Sequence, residues 1–525
     1  MESSEQLSDM LGRLHIKKYS KAEATAAIRG ERIPDALGLP LLRLCTIRGI
    51  RYHDGFGQEL RGVSPEFTRA LNAREIMSDR IPHIENLGEE TPYCIWYPEV
   101  ASEETYKQLV KKYPHMAYHV GRACAVAGYT DLFLELDILP EVHIAEEARE
   151  CGNMTIFNHI MAKPVRYNVM NDYQTAVDIS SPTASSLNAD TAVRSSLNIK
   201  QGFTHATEPE FLDGEDIFGL FDSDGYVEHM FNITKDMSID IADSEGHYYA
   251  ERHDVAHSAL LTKLLTGPLP VDLPTVDKDL LICMAAYNGD IDRYDRLRRP
   301  KMVDGEIRCC VRGIYHNTMF AIWFSKRGAQ PGAILQAITA RFIMNNVLSR
   351  VDVRNAHLPY LIWYPTIAAP TTYRKLAETA PKCLPQVLRA CIVGDYVDLF
   401  DELVGNVEPD EAILKEASLS SNRHYEEALL DRAEVVGMKK IASYERWKMC
   451  TRRSLEGSST TLHKVMGWTG PWTDSGLSLY NGSKCDGSEV ELLACLPEDW
   501  RIPADDEDEE KVLDYTNWPP QGAET

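Results

Sequence analysis

A mostly α-helical chain is what the 525 residues predict: a solenoid of stacked helical hairpins in two homologous halves, with an irregular acidic insert between them. Three observations carry that expectation. They are a long internal match at one fixed offset, a small-residue theme that recurs within each half, and the confinement of most of the net charge to two stretches.

The match comes first, because a missed repeat misassigns a whole fold. The heptapeptide "PYCIWYP" at 92–98 returns as "PYLIWYP" at 359–365. Displacing the sequence by the same 267 residues aligns 92–136 with 359–403 without a gap, and about half of the 45 pairs are identical. "TYKQL" meets "TYRKL", "RACAVAGYTDLFLEL" meets "RACIVGDYVDLFDEL", and upstream "ALNAREIM" (70–77) meets "AITARFIM" (337–344). With a small shift, "CTIRGIRYH" (45–53) meets "CVRGIYH" (310–316). Duplication explains the heptapeptide without any ligand.

The recurrent theme supplies the helices. "MAAYNGDIDRYDRL" (284–297), "CCVRGIYHNTMFAIW" (309–323) and the two "RAC" segments share a small pair, a turn-prone Gly or Asp, and an apolar stretch. Small residues let one helix back closely onto the next, and Gly or Asp tolerates the tight turn. The following apolar residues form the buried stripe of a second helix. Extra helices are expected over 65–80, 102–113, 144–161, 334–348, 371–380 and 410–434. The first half is thus read as 1–170 and the second as 256–450.

This theme resembles the helical heart of an ankyrin repeat, although its spacing is irregular and the "TPLH" opening is missing. The chain resembles a group of uncharacterised fungal proteins with degenerate ankyrin-like helical repeats. The segments that carry the resemblance are "CIWYPEVASEETYKQLVKKYP", "VGRACAVAGYTDLFLELDILPEVHIAEEARE", "DLPTVDKDLLICMAAYNGDIDRYDRL" and "VRGIYHNTMFA". The resemblance implies an ankyrin-like α-helical architecture over about 40–435, and brings no activity, ligand or catalytic residue.

Between the halves, 171–255 is read as an acidic irregular insert, part loop, with a small β element around "GYVEHMFNIT". The final segment, 451–525, reads as an irregular acidic tail. The net charge of −24 is mostly here: 207–254 carry −12 and 498–514 carry −7. No basic face is left to neutralise phosphates or anionic lipid, so neither nucleic acid nor membrane is expected as a partner. No run of about 18 apolar residues appears, and the start has no apolar signal core, so the expected location is cytoplasmic or nuclear. Cys45, Cys124, Cys283, Cys309, Cys310 and Cys391 fall inside apolar helical patterns and read as reduced core residues.

Catalytic motifs are sparse. "HYYAERHDVAH" gathers His247, His253 and His257 with Asp254, and on a helix His253 and His257 would share a face able to hold one metal with Asp254 beside them. That constellation supports the alternative reading, a metal-dependent hydrolase. "DSDGY" at 222–226 fails as a calcium loop, because Leu220 and Phe231 would occupy ligand positions. No phosphate-binding glycine loop, dinucleotide fingerprint or nucleophile elbow occurs.

The duplicated aromatics Trp96, Tyr97, Trp363 and Tyr364 are the candidate partner-binding residues; the competing role for the tryptophans is wedging hairpins together. Arg122 and Arg389, and Arg48 and Arg312, occupy matching positions and are expected to tie helix ends to neighbouring carboxylates or carbonyls. The sequence therefore predicts a non-enzymatic protein–protein interaction scaffold with no cofactor and a partner it does not identify.

Overall fold

The computed structural model describes residues 2–188 apart from 19 and 173, the segments 200–204, 226–232 and 240–242, residues 260, 263 and 264, and residues 267–439 apart from 277, 301, 303–305, 329, 331, 353–357, 360 and 364. It is mostly helical. Two compact units divide the chain, Met1–Glu251 with Pro270–Val276, and Arg252–Leu269 with Asp277–Thr525.

The first unit holds α1 (Glu2–Arg13), α2 (Lys21–Ile28), α3 (Pro40–Tyr52), α4 (Pro65–Met77), α5 (Glu103–Lys112), α6 (Ala117–Ala127), α7 (Thr130–Glu135), α8 (Val142–Glu150) and α9 (Met154–Met161). Local chemistry sets their ends. Ser64 accepts from the Phe67 N–H with Pro65 at the first helical position, and Ser102 accepts from the Thr105 N–H; both satisfy an orphan donor of a first turn. Gly128 closes α6 in the left-handed region at φ 77°. Consecutive hairpins stack, with α6 on α8 and α7 on α9. Their apolar stripes meet in a core of Ile95, Trp96, Tyr106, Leu109, Val120, Cys124, Ile144 and Ile156.

The expected helix over 144–161 is broken in two. Gly152 sits at φ 76°, and the N–H groups of Cys151 and Asn153 turn back to close α8.

After α9 come two antiparallel pairs: β1 (Tyr167–Asn168) with β4 (Thr183–Ala184), and β2 (Met170–Asn171) with β3 (Ala176–Val177). A three-stranded antiparallel sheet follows, β5 (Lys200–Thr204), β6 (Tyr226–Asn232) and β7 (Asp240–Ala242), with β6 central. β6 is the β element expected in the insert.

The second unit holds α10 (Lys278–Asn288), α11 (Ile291–Leu297), α12 (Glu306–His316), α13 (Thr318–Ser325), α14 (Gly332–Met344), α15 (Pro370–Thr379), α16 (Leu384–Gly394), α17 (Val397–Val404), α18 (Glu411–Ser418) and α19 (His424–Val436). α10 packs on α12 and α12 on α14, while α11 packs on α13; further along, α16 packs on α18 and α17 on α19. The expected single helix over 410–434 is likewise two helices, α18 and α19.

Three helices of each unit share boundaries at the 267-residue offset: α4 with α14, α5 with α15, and α6 with α16. Side-chain anchors repeat at that offset too. Tyr106 donates to the Ile95 carbonyl at 2.8 Å and accepts from the Ala101 N–H at 3.0 Å; Tyr373 does the same with Ile362 at 2.8 Å and Ala368 at 3.1 Å. Asp79, at φ 59°, accepts from the Ser102 N–H and the Thr105 hydroxyl; Asn346, at φ 61°, accepts from the Ala369 N–H and the Thr372 hydroxyl.

The glycine of the "RGI" motif has a steric reason in both units. A Cβ on Gly49 would lie 1.9 Å from the Ala27 carbonyl oxygen, and one on Gly313 would lie 2.0 Å from that of Ala286. Only glycine lets α3 back onto α2, and α12 onto α10, at backbone distance.

Candidate functional site

The heptapeptide "PYCIWYP" is the pivot of the first unit. From α3, the buried Arg51 donates to the Cys94 carbonyl at 2.9 Å and also to that of Tyr97. In the second unit the Tyr315 hydroxyl reaches the Leu361 carbonyl, the position matching Cys94, at 3.0 Å. A cation in one unit and a phenol in the other thus hold carbonyls at matching positions.

Beneath the heptapeptide lies a buried charged cluster. α6 supplies Arg122, α8 supplies Glu147, and the residue after β2 supplies Asp172; all three side chains are at most 2% exposed. Arg122 Nε donates to Glu147 at 3.0 Å, and its two Nη groups grip Asp172 at 2.6 and 3.1 Å. The Tyr93 hydroxyl donates to Asp172 at 2.6 Å, and the Trp96 ring lies 5.0 Å from the Arg122 guanidinium carbon. Glu141, just before α8, accepts from the Ile144 N–H at 2.9 Å and pairs with His143 Nδ1 at 2.9 Å.

Charge placement tunes these groups. Burial would raise the Asp172 carboxyl, but the charges of Arg122 and His143, with hydrogen bonds from Arg122 and Tyr93, hold it at about 2. Burial opposes the charged form of His143, yet Glu141 and Asp172 lift it to about 9. One turn before Arg122, burial drops His119 to about 3. Tyr93 is pushed well up, by burial first and then by the Asp172 charge.

The second unit carries a simpler version. Arg389 pairs with Glu416 at 2.8 Å, both nearly buried, with the Trp363 ring 4.6 Å from its guanidinium carbon. Asp410 caps α18 through the Ile413 N–H at 2.9 Å, as Glu141 caps α8.

These groups hold one another rather than face a substrate. Cys45, Cys124 and Cys391 are buried thiols pushed up to about 12, which keeps them protonated and weakly nucleophilic. The other three cysteines expected in the core, Cys283, Cys309 and Cys310, are also buried. Among the described residues no group of three His, Cys, Asp or Glu side chains could hold a metal ion. His247, His253, His257 and Asp254 lie outside the described residues.

The four aromatic candidates separate. Trp96 and Trp363 are buried, at 1% and 2% exposure, so in this fold neither ring is offered to a partner; both stack on arginines inside the hairpin contacts. The Trp96 indole N–H has no partner among the described residues. Tyr97 is half-buried, its hydroxyl bonded to Tyr52 at 3.0 Å. Tyr364 lies outside the described residues. Arg122 and Arg389 bind carboxylates as the sequence suggested. Arg312 reaches the Tyr287 carbonyl at 3.0 Å and lies over that ring at 4.2 Å, while Arg48 lies over Tyr52 at 3.8 Å.

Sequence reasoning missed one surface group. On the outer helices of the second unit, Trp323 lies between Arg327, 3.1 Å from its ring centre, and Arg298, at 5.6 Å. Asp295 bridges the two arginines at 3.0 and 3.1 Å, and Met319, on the same helix as Trp323, is 60% exposed. The one sequence signal is the cluster "RLRRPK" at 296–301, which no apolar period demands.

Residues 96–200, which include most of the charged cluster, match a family model described as the YKP1 C-terminal domain. The chain is also 26% identical over 82 residues to the "Uncharacterized killer plasmid pGKl-2 protein 1" of Kluyveromyces lactis, covering 16% of this chain and 37% of that protein. It therefore spans little more than a third of that relative's length. No solved structure matches. These similarities support the fungal side of the resemblance read from the sequence.

Among the described residues no helix is long and apolar enough to cross a membrane.

Proposed function

We propose that the chain is a non-enzymatic protein–protein interaction scaffold, built from two ankyrin-like solenoid halves that arose by internal duplication and work in the cytoplasm or nucleus. The observation that carries this reading is the two-layer stacking of consecutive hairpins, whose shared residues are spent on holding one hairpin to the next. Stacked hairpins of that kind bury a continuous core and leave an extended outer surface for recognition. Duplication is supported by the shared helix boundaries and by the paired Tyr106/Tyr373 and Asp79/Asn346 anchors.

For the contact itself we favour the Met319–Trp323–Arg327 face, because interface hot spots are rich in Trp and Arg beside exposed apolar surface. Tyr97 remains a secondary candidate. The test is quantitative affinity capture from the native cells, comparing wild type with M319A/W323A. The reading expects one or more partners to fall at least tenfold while the thermal midpoint holds. Equal capture by both chains would remove this face. Stoichiometric zinc in the purified protein, lost in H253A/H257A together with a hydrolytic activity, would replace the scaffold by the enzyme.

A further inference from the structure

The segment Pro270–Val276 belongs by its contacts to the first unit, although the chain on both sides of it belongs to the second. Its seat is a built one. The Asp272 carboxylate receives Arg166 Nη2 at 2.9 Å on each oxygen and the Leu187 N–H at 2.9 Å. Leu273 donates its N–H to the Leu187 carbonyl at 2.8 Å, and its carbonyl accepts from Arg149 Nη1 at 2.9 Å. Leu273 is fully buried, whereas Val271, two residues before it, is 72% exposed. Asn188 forms a parallel bridge with Leu273, and its own N–H goes to Glu146 at 3.1 Å. Glu146 in turn pairs with Arg149.

This pattern is how a groove reads an extended peptide. Main-chain bonds to an exposed edge supply registry, and alternate side chains enter pockets. Here Arg166 takes the aspartate, the next side chain, Leu273, is fully buried, and Arg149 takes the main-chain carbonyl. Every groove residue named, Glu146, Arg149, Arg166, Leu187 and Asn188, lies within the stretch that matches the YKP1 C-terminal domain, and the strap does not.

We propose that the first unit carries a peptide-binding groove specific for an extended Asp-Leu segment, that residues 271–274 fill it in cis as a pseudo-ligand, and that a partner's Asp-Leu peptide takes the same seat when the strap leaves. The groove is independent of the Met319–Trp323–Arg327 face, so failure of either leaves the other standing. A tethered segment competes at an effective concentration of order millimolar, so the closed chain rejects weak peptides in trans.

The experiment uses the full chain and a fluorescent nonapeptide of residues 268–276, read by anisotropy. The proposal expects D272A/L273A to bind it at least tenfold more tightly than wild type. Adding Arg166→Ala to that variant should abolish the gain, as should placing alanine at the aspartate position of the peptide. Equal binding by wild type and D272A/L273A, or binding indifferent to the peptide's aspartate, overturns it. If D272A/L273A does not fold by itself, unlabelled nonapeptide should restore its unfolding transition, with a midpoint that climbs with peptide concentration; no restoration at millimolar peptide also overturns it.

Discussion

Replacing Arg122 by alanine removes a cation that grips two buried carboxylates. Three donor bonds of 2.6 to 3.1 Å disappear, and Glu147 and Asp172 stay where at most 2% of each side chain meets water. Breaking a buried pair by deleting one partner costs about 3–5 kcal/mol, because the remaining charge is stranded. The Trp96 ring also loses its stacked guanidinium, and the volume of a long side chain is left empty. A total of about 4 kcal/mol in the first unit is therefore expected. Denaturant unfolding followed by a probe in that unit measures it. A triple variant, R122M/E147Q/D172N, should recover more than half of the loss, since apolar and neutral groups no longer strand a charge. A cost below about 1 kcal/mol for R122A, or no recovery in the triple variant, would refute the reasoning that charge compensation holds α6, α8 and the residue after β2 together.

Two further outcomes follow from the same geometry. Stability of the first unit should peak near pH 6.5: His143, raised to about 9, contributes fully below its ordinary value of 6.5 and loses that contribution as pH climbs through 9. His119, lowered to about 3, loses its contribution as pH falls below 6.5, and Asp172, held at about 2, adds a loss as pH falls below 3.8. His143→Gln should flatten the alkaline limb in melts taken from pH 6 to 10, and an unchanged limb would assign it to another group. Gly49→Ala and Gly313→Ala should each cost about 2–3 kcal/mol, because the added methyl meets a backbone carbonyl at 2.0 Å or less, and unchanged melting of either variant would show that the helices do not back onto each other there.

Much of the helical layout was legible because its signals are local. The small pair, the Gly or Asp turn and the apolar stretch all lie within about 15 residues. Gly128 and Asp395 mark the same turn in both halves for the same reason, a left-handed backbone. The breaks at Gly152 and at 419–423 escaped because the apolar period continues across them. The charged cluster was half legible: Arg122 stood out by its repetition, but Asp172 lies 50 residues away in an irregular segment, and no periodicity links the two. The strap is further still, with Arg149 reaching a carbonyl 124 residues on. The peptide lies within the stretch read as the second half, 256–450, and only tertiary contact assigns it to the first unit. The heptapeptide tryptophans could be read either as anchors or as wedges, and burial is what separates the two.

The central claim is that each of the two units is wedged by its own buried tryptophan, Trp96 or Trp363. Thermal and denaturant unfolding of W96A and W363A, with a probe in each unit, tests it most directly. Each substitution should cost about 3–5 kcal/mol in its own unit, leave the other within about 0.5 kcal/mol, and split unfolding into two transitions. Unchanged midpoints in both variants, or an equal loss in both units from either one, would contradict it.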